Sequence, residues 1–318
     1  MLALLFPGQA SQEVGMGRDV YEASPAARQV FDAADAALAD SLSRPLSSIC
    51  FEGPEEELRL TEIQQPAILT TSVALLRALE EAVGPLAPGF VGGHSLGEYT
   101  ALVASGALPF EDAVRTVNLR GKLMQAAVPE GQGAMAAVLG VAPEVVAEAC
   151  AAAAAETGMV VTPANYNSSQ QTVMAGDAKA VEVACEKVKA LGAKKTVPLP
   201  VSAPFHCALM APAAEGLAPE LAKIDFGKAV PPVVTNVEAE PNDDPGRMVE
   251  LLREQVTAPV RFTDMISRMK ALGVDGFLEV GPGRVLSGLI ARIERRAKRA
   301  NFSSLEDLEN ARSFISEI

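Results

Sequence analysis

Gly93-His94-Ser95-Leu96-Gly97 sets a serine between two glycines at the spacing of a nucleophile elbow. The spacing has a steric reason: a strand must reverse into a helix within a few residues, and glycines on both sides of the serine let the backbones pass closely. The serine is thereby raised at the amino end of a helix, where N–H groups and the dipole favour a developing oxyanion. Such a residue suits nucleophilic catalysis through a covalent intermediate, but a serine hydroxyl is a poor nucleophile at neutral pH and needs a base. The chain has two histidines, His94 and His206. A side chain adjacent to an elbow serine points away from it, so His94 is expected to pack against or bond to the scaffold, and His206 remains as the base. Hydrolases built on this elbow place an Asp or Glu between serine and histidine in the chain. Here that interval is largely occupied by a second folded unit, so a Ser–His dyad, its imidazole held by an amide or a backbone carbonyl, is expected in place of a triad. Cys207 adjoins His206, cannot approach it, and reads as a small buried residue.

To raise Ser95, the chain must supply a strand before it and a helix after it. Phe90 to Gly93 reads as a short buried strand and Tyr99 to Ser105 as a helix capped by Gly106. Leu2 to Phe6 predicts a first buried strand running into the turn Pro7-Gly8-Gln9-Ala10-Ser11-Gln12, and Gln65 to Val83 a helix ended by Gly84. The middle of the chain follows another rhythm. Strand at 134–141, helix at 143–156, strands at 159–165 and 171–175, helix at 177–191 and strand at 195–199 give the order βαββαβ of a ferredoxin-like split unit. Beyond Pro200 the pattern predicts helices at 206–224, 247–256 and 262–272, strands at 233–236 and 276–280, and a last helix from Val285 to about Arg299. The fold class is therefore α/β: an α/β-hydrolase-like large body with a mostly parallel sheet, 1–130 and 200–318, interrupted by a ferredoxin-like small subdomain, 131–199.

Composition narrows the function classes. The chain has 318 residues, with 27 Lys and Arg against 40 Asp and Glu and a formal net charge of -13, which disfavours nonspecific binding to nucleic acid or anionic lipid. Two histidines exclude a three-histidine zinc site, and 4% aromatic residues without Trp exclude a stacked-aromatic platform for nucleic acid. Cys50, Cys150, Cys185 and Cys207 lack the close pairings of zinc ribbons or redox motifs, consistent with a reduced, cytoplasmic chain. The apolar run Met1 to Phe6 has no basic flank and stops at Pro7-Gly8, so neither a signal peptide nor a membrane span is expected there.

Four blocks together carry a resemblance: Phe6-Pro7-Gly8-Gln9-Ala10-Ser11-Gln12, Gly92-Gly93-His94-Ser95-Leu96-Gly97-Glu98-Tyr99, Leu119-Arg120-Gly121-Lys122-Leu123-Met124-Gln125 and Ala203-Pro204-Phe205-His206-Cys207. In order and spacing they resemble malonyl-CoA:acyl-carrier-protein transacylases, from about Leu2 to Ile293. The resemblance implies that Ser95 is the nucleophile, His206 the general base, and the backbone N–H groups of Gln9 and Leu96 the oxyanion hole. It implies that Arg120 grips the free carboxylate of a malonyl group, a task that suits a planar fork able to make two charge-assisted hydrogen bonds. Gln255 matches the position whose backbone carbonyl orients the imidazole. Malonyl-CoA and acyl carrier protein would be the partners, with a coenzyme A thioester as substrate, no bound cofactor or metal, and a monomer as the working unit.

The sequence departs from the family at two places. Ala10 replaces the glycine of the Gly-Gln-Gly turn, which argues that this residue does not need positive φ, and Ala258 precedes Pro259 where a polar residue is common. Related domains that take branched units carry Gln after the nucleophile and Ser before the histidine, so Leu96 and Phe205 favour unbranched malonyl. Two other functions share part of these features: a serine esterase or thioesterase delivering its acyl group to water, and a noncatalytic scaffold that docks a carrier. An acidic carrier would need a local cationic face, for which the candidates are Lys187, Lys189, Lys194 and Lys195, and Arg284, Arg292, Arg295, Arg296, Lys298 and Arg299.

Overall fold

The computed structural model describes residues 1–201 and 203–318. Its strands are β1 (Leu2–Phe6), β2 (Phe90–Gly93), β3 (Gly133–Leu139), β4 (Val161–Ser168), β5 (Gln171–Asp177), β6 (Lys195–Pro198), β7 (Val233–Val234), β8 (Pro241–Asn242), β9 (Gly276–Val280) and β10 (Lys298–Phe302). One sheet has the order β10-β9-β1-β2-β7-β8 and is parallel except for β8. The uninterrupted apolar run of β1 fits its place: it pairs with β9 on one side and β2 on the other, and every residue is buried. Among the described residues no helix is long and apolar enough to cross a membrane.

The second sheet has the order β4-β5-β3-β6 and is antiparallel throughout, with the helices Pro143–Thr157 and Ala178–Ala190 between its strands. Small alanines let these helices lie close on the sheet, where Ala149, Ala153, Ala180 and Ala184 are buried among Val146, Val188 and Met174. It is stitched to the body by a parallel bridge between Asn165 and Val260, with Tyr166 N–H donating to the Val260 carbonyl at 2.9 Å.

Three sequence expectations are corrected. The last helix ends at Ile293, and the chain then forms β10 at the sheet edge and a further helix, Leu308–Ser316. The basic run Arg295 to Arg299 looks like a solvated helix face, yet Ala300 and Phe302 alternate inward and supply the burial that holds a strand. His206 is not on a helix: the 3-10 turn Ala208–Met210 and the helix Ala211–Leu221 follow it, and His206 itself has φ 60°. Ala10 does take positive φ, 74°, because the turn after β1 demands it even without glycine, and Ser11 Oγ closes that turn on the Gly8 carbonyl at 2.8 Å.

Candidate active site

β2 ends at Gly93, Ser95 sits alone at φ 51° and ψ -104°, and the helix Leu96–Ala104 begins at once. A Cβ on Gly93 would lie 2.2 Å from the Gly97 backbone, and one on Gly97 would lie 2.0 Å from the Phe6 carbonyl oxygen, so the reversal requires both glycines. A non-glycine residue held in this region costs of order 1–3 kcal/mol and persists only where its surroundings over-determine it.

Those surroundings bring together residues far apart in the chain. Ser95 Oγ lies 2.7 Å from His206 Nε2, and His206 Nδ1 lies 2.8 Å from the Gln255 carbonyl oxygen. A carbonyl can only accept, so Nδ1 carries the hydrogen and Nε2 presents its lone pair to the serine. Burial, and then the nearby Arg120 charge, push the His206 imidazole down to about 3, leaving it neutral and ready to accept a proton. His94 points elsewhere, as its adjacency requires: its Nε2 meets Asn167 Oδ1 at 2.9 Å and its ring lies 5.7 Å from that of Phe262.

Arg120 is 1% exposed rather than a solvated helix charge. It stands on the helix Phe110–Ala126, which approaches the helix Thr61–Val83 closely because Gly121 has no Cβ; one would lie 2.6 Å from the Glu62 Cα. Its guanidinium donates to Gln65 Oε1 at 2.7 Å, to Gln255 Oε1 at 3.0 Å and to Ser95 Oγ at 3.0 Å, and it lies 5.5 Å from the Tyr99 ring centroid. Neutral amides, a hydroxyl and an aromatic face hold this cation, and the Glu98 carboxyl acts on it through space without bonding to it. A carboxylate acceptor would complete its fork.

Beneath the elbow lies a polar cluster that sequence reasoning did not identify. Glu98 Oε2 accepts from Asn236 N–H at 3.0 Å and from Gln255 Nε2 at 2.7 Å, and burial raises its carboxyl to about 7. The Asn236 carboxamide reaches Ser95 and Gly93, and Gln255 Nε2 also donates to the Ser95 carbonyl at 3.0 Å. Glu98 carried the one available signal, an acid inside an apolar helix; Asn236 and Gln65 carried none.

Above Ser95 opens a cavity of about 540 Å³ between the two sheets, of the size that takes a small-molecule ligand. Gln9, His206 and Phe205 line it with Ser95, whereas Leu96 is fully buried and is not among the lining residues. The Gln9 side chain is tied to Gln64, Nε2 to Oε1 at 2.5 Å. Among the described lining residues the one lysine or arginine is Arg59, which pairs with Glu55 at 2.5 Å. The basic residues expected to meet a carrier lie elsewhere, and several have partners: Lys187 pairs with Glu156 at 2.6 Å and Arg284 with Asp307 at 3.2 Å, while Arg292 donates to Gln171 at 2.7 Å. No group of three or more His, Cys, Asp or Glu among the described residues is arranged to hold a metal ion.

An elbow serine on a parallel sheet, an imidazole within hydrogen-bond reach and a fixed carbonyl behind it form the constellation of an enzyme that carries an acyl group on serine. The acyl transferase domain family matches residues 3–306, and the chain belongs to that family. Its relatives include the malonyl CoA-acyl carrier protein transacylase of Bacillus subtilis, 48% identical over 99% of this chain and 98% of that protein. Among solved structures, an acyl carrier protein S-malonyltransferase from Vibrio cholerae superposes with a TM-score of 0.93 at 43% identity, covering 98% of this chain and 99% of that one. A malonyl-transacylase in complex with a type II PKS acyl-carrier protein gives 0.93 at 44% identity, with the same coverage.

Proposed function

We propose that this protein transfers a malonyl group from malonyl-CoA to the phosphopantetheine thiol of an acyl carrier protein by way of malonyl-Ser95. The observation that carries the reading is a buried Arg120 directed at Ser95 Oγ from 3.0 Å, a cation beside the nucleophile with no carboxylate bonded to it among the described residues. In this mechanism Ser95 Oγ attacks the thioester carbonyl and gives its proton to His206 Nε2, while the Gln255 carbonyl keeps the Nδ1 hydrogen in place. The tetrahedral oxyanion rests on the Gln9 and Leu96 backbone N–H groups, the latter opening the elbow helix. His206 then returns the proton to the departing thiolate. The carrier thiol reverses the sequence, giving its proton to His206 as its sulfur attacks malonyl-Ser95. Arg120 binds the free carboxylate throughout, and Phe205 limits branching of the acyl unit.

In this reading residues 131–199 form the small subdomain over a body of 1–130 and 200–318, and the chain works as a cytoplasmic monomer without a bound cofactor. Whether the carrier serves fatty-acid or polyketide synthesis, the chemistry is the same. A hydrolase with the same serine and histidine is disfavoured by the names of the relatives and by a buried cation that neutral esters would not use. Incubation with malonyl-CoA alone, followed by intact-mass measurement, is expected to show one malonyl group per chain. An unmodified mass would remove the proposal.

The depressed His206 also sets a pH dependence. The base must be neutral, and a group whose value lies at about 3 is neutral throughout the range above it. The acid limb of kcat/KM for acylation, which reports the free enzyme, is therefore expected well below pH 5 and not near the ordinary histidine value of about 6.5. Quenched mass measurements across pH 4–8 check this; half-maximal activity near pH 6.5 would contradict it.

A further inference from the structure

β7 is only two residues long, Val233–Val234, and pairs with Val91 and Gly92 of β2; it gives out before β2 does. From there the side chain of Asn236 takes over the ladder. Its Nδ2 donates to the Gly93 carbonyl at 2.8 Å and its Oδ1 accepts the Ser95 N–H at 2.7 Å, one donor and one acceptor, as a strand backbone would supply. Asn236 is itself pinned on both sides: its N–H donates to Glu98 Oε2 at 3.0 Å, and its carbonyl accepts the Arg261 N–H at 3.0 Å. Glu98 belongs to the first turn of the elbow helix, so the helix that Ser95 begins also anchors the residue that holds Ser95. Asn236 is fully buried and is not among the residues lining the cavity above Ser95.

A serine at φ 51° relaxes unless its peptide planes are held, and here the carboxamide holds the plane before Ser95 while Gln255 Nε2 holds its carbonyl, the start of the plane that carries the Leu96 N–H. We propose that Asn236, anchored by Glu98, is a positioning residue for acyl transfer, keeping Ser95 Oγ and the Leu96 N–H in register for attack. The proposal rests on the acyl-serine reading above. It goes beyond that reading by assigning a residue outside the cavity.

The test is the rate at which Ser95 is modified, followed by intact mass, with malonyl-CoA and separately with a fluorophosphonate that reacts with activated serines and carries no carboxylate. Asn236→Ala is expected to slow both reactions by about 100-fold, the cost of misplacing reacting groups by about an ångström or losing an oxyanion donor. Labelling should still reach the full endpoint, and the KM for malonyl-CoA should stay within about threefold. A rate within about threefold of the wild type overturns the proposal. So does a smaller labelled fraction reacting at the wild-type rate, the signature of partial unfolding. If Asn236→Ala gives no folded protein, Asn236→Asp keeps the shape and the acceptor for Ser95 N–H but removes the donor to Gly93; slowing by about tenfold or more supports the proposal and the wild-type rate overturns it. Wild-type protein that takes the fluorophosphonate but no malonyl group would sink the malonyl reading and leave this proposal to be decided by the fluorophosphonate rates alone.

Discussion

Ser95→Ala, His206→Ala and the double variant are each expected to lose about 10⁴–10⁶-fold in malonyl transfer, and the double variant should lose no more than the worse single one. The geometry is the reason. The serine is useful only while its proton has somewhere to go, and the His206 Nε2 lone pair, 2.7 Å away, is the base directed at it. The imidazole in turn has no other role in the step, since its far nitrogen is committed to the Gln255 carbonyl at 2.8 Å. Residues that act as one unit give non-additive losses. Steady-state rates of the three variants decide the matter, together with an intact-mass check that Ser95→Ala takes no label. Multiplying losses would mean that another base serves Ser95.

Arg120→Ala should separate substrates. Two charge-assisted hydrogen bonds to a carboxylate are worth about 1.5–3 kcal/mol each, so malonyl transfer should fall by about 10²–10⁴-fold while acetyl transfer changes by only a few-fold. Reading the malonyl-to-acetyl ratio matters because the variant also loses stability. The Gln65 and Gln255 side-chain oxygens, which accept from the guanidinium at 2.7 and 3.0 Å, would be left buried without donors. That costs about 1–3 kcal/mol apiece but acts on both substrates alike. Because the Arg120 charge helps to depress His206, the acid limb of activity should also move upward in the variant. Arg120→Lys, which keeps the charge and loses the fork, is expected to fall between. Equal losses for malonyl and acetyl transfer would show that Arg120 is structural.

The elbow was legible in the sequence because its cause is local: a reversal within five residues leaves glycines at fixed spacing. His206 was legible because the chain has only two histidines and adjacency disposes of one. Arg120 and Gln255 were reached only through resemblance, since nothing near them in the chain tells a buried arginine from a solvated one. Glu98 and Asn236 lie 138 residues apart and meet only in the folded sheet, so periodicity could not pair them. The edge strand β10 was hidden by its own charges. Ala10 shows the opposite failure: the residue type argued against a left-handed turn, and the packing around β1 overrode it.

The carbonyl behind His206 also bears on how long the imidazole would keep a proton. A carboxylate there would steady the imidazolium and make a stronger base; a carbonyl, with burial and Arg120 beside it, leaves a weak one. A weak base gives its proton back readily, so in the proposed mechanism the imidazolium formed as Ser95 attacks is a strong acid toward the departing thiolate. On that mechanism, the absence of an acid behind His206 favours the proton's return over its retention.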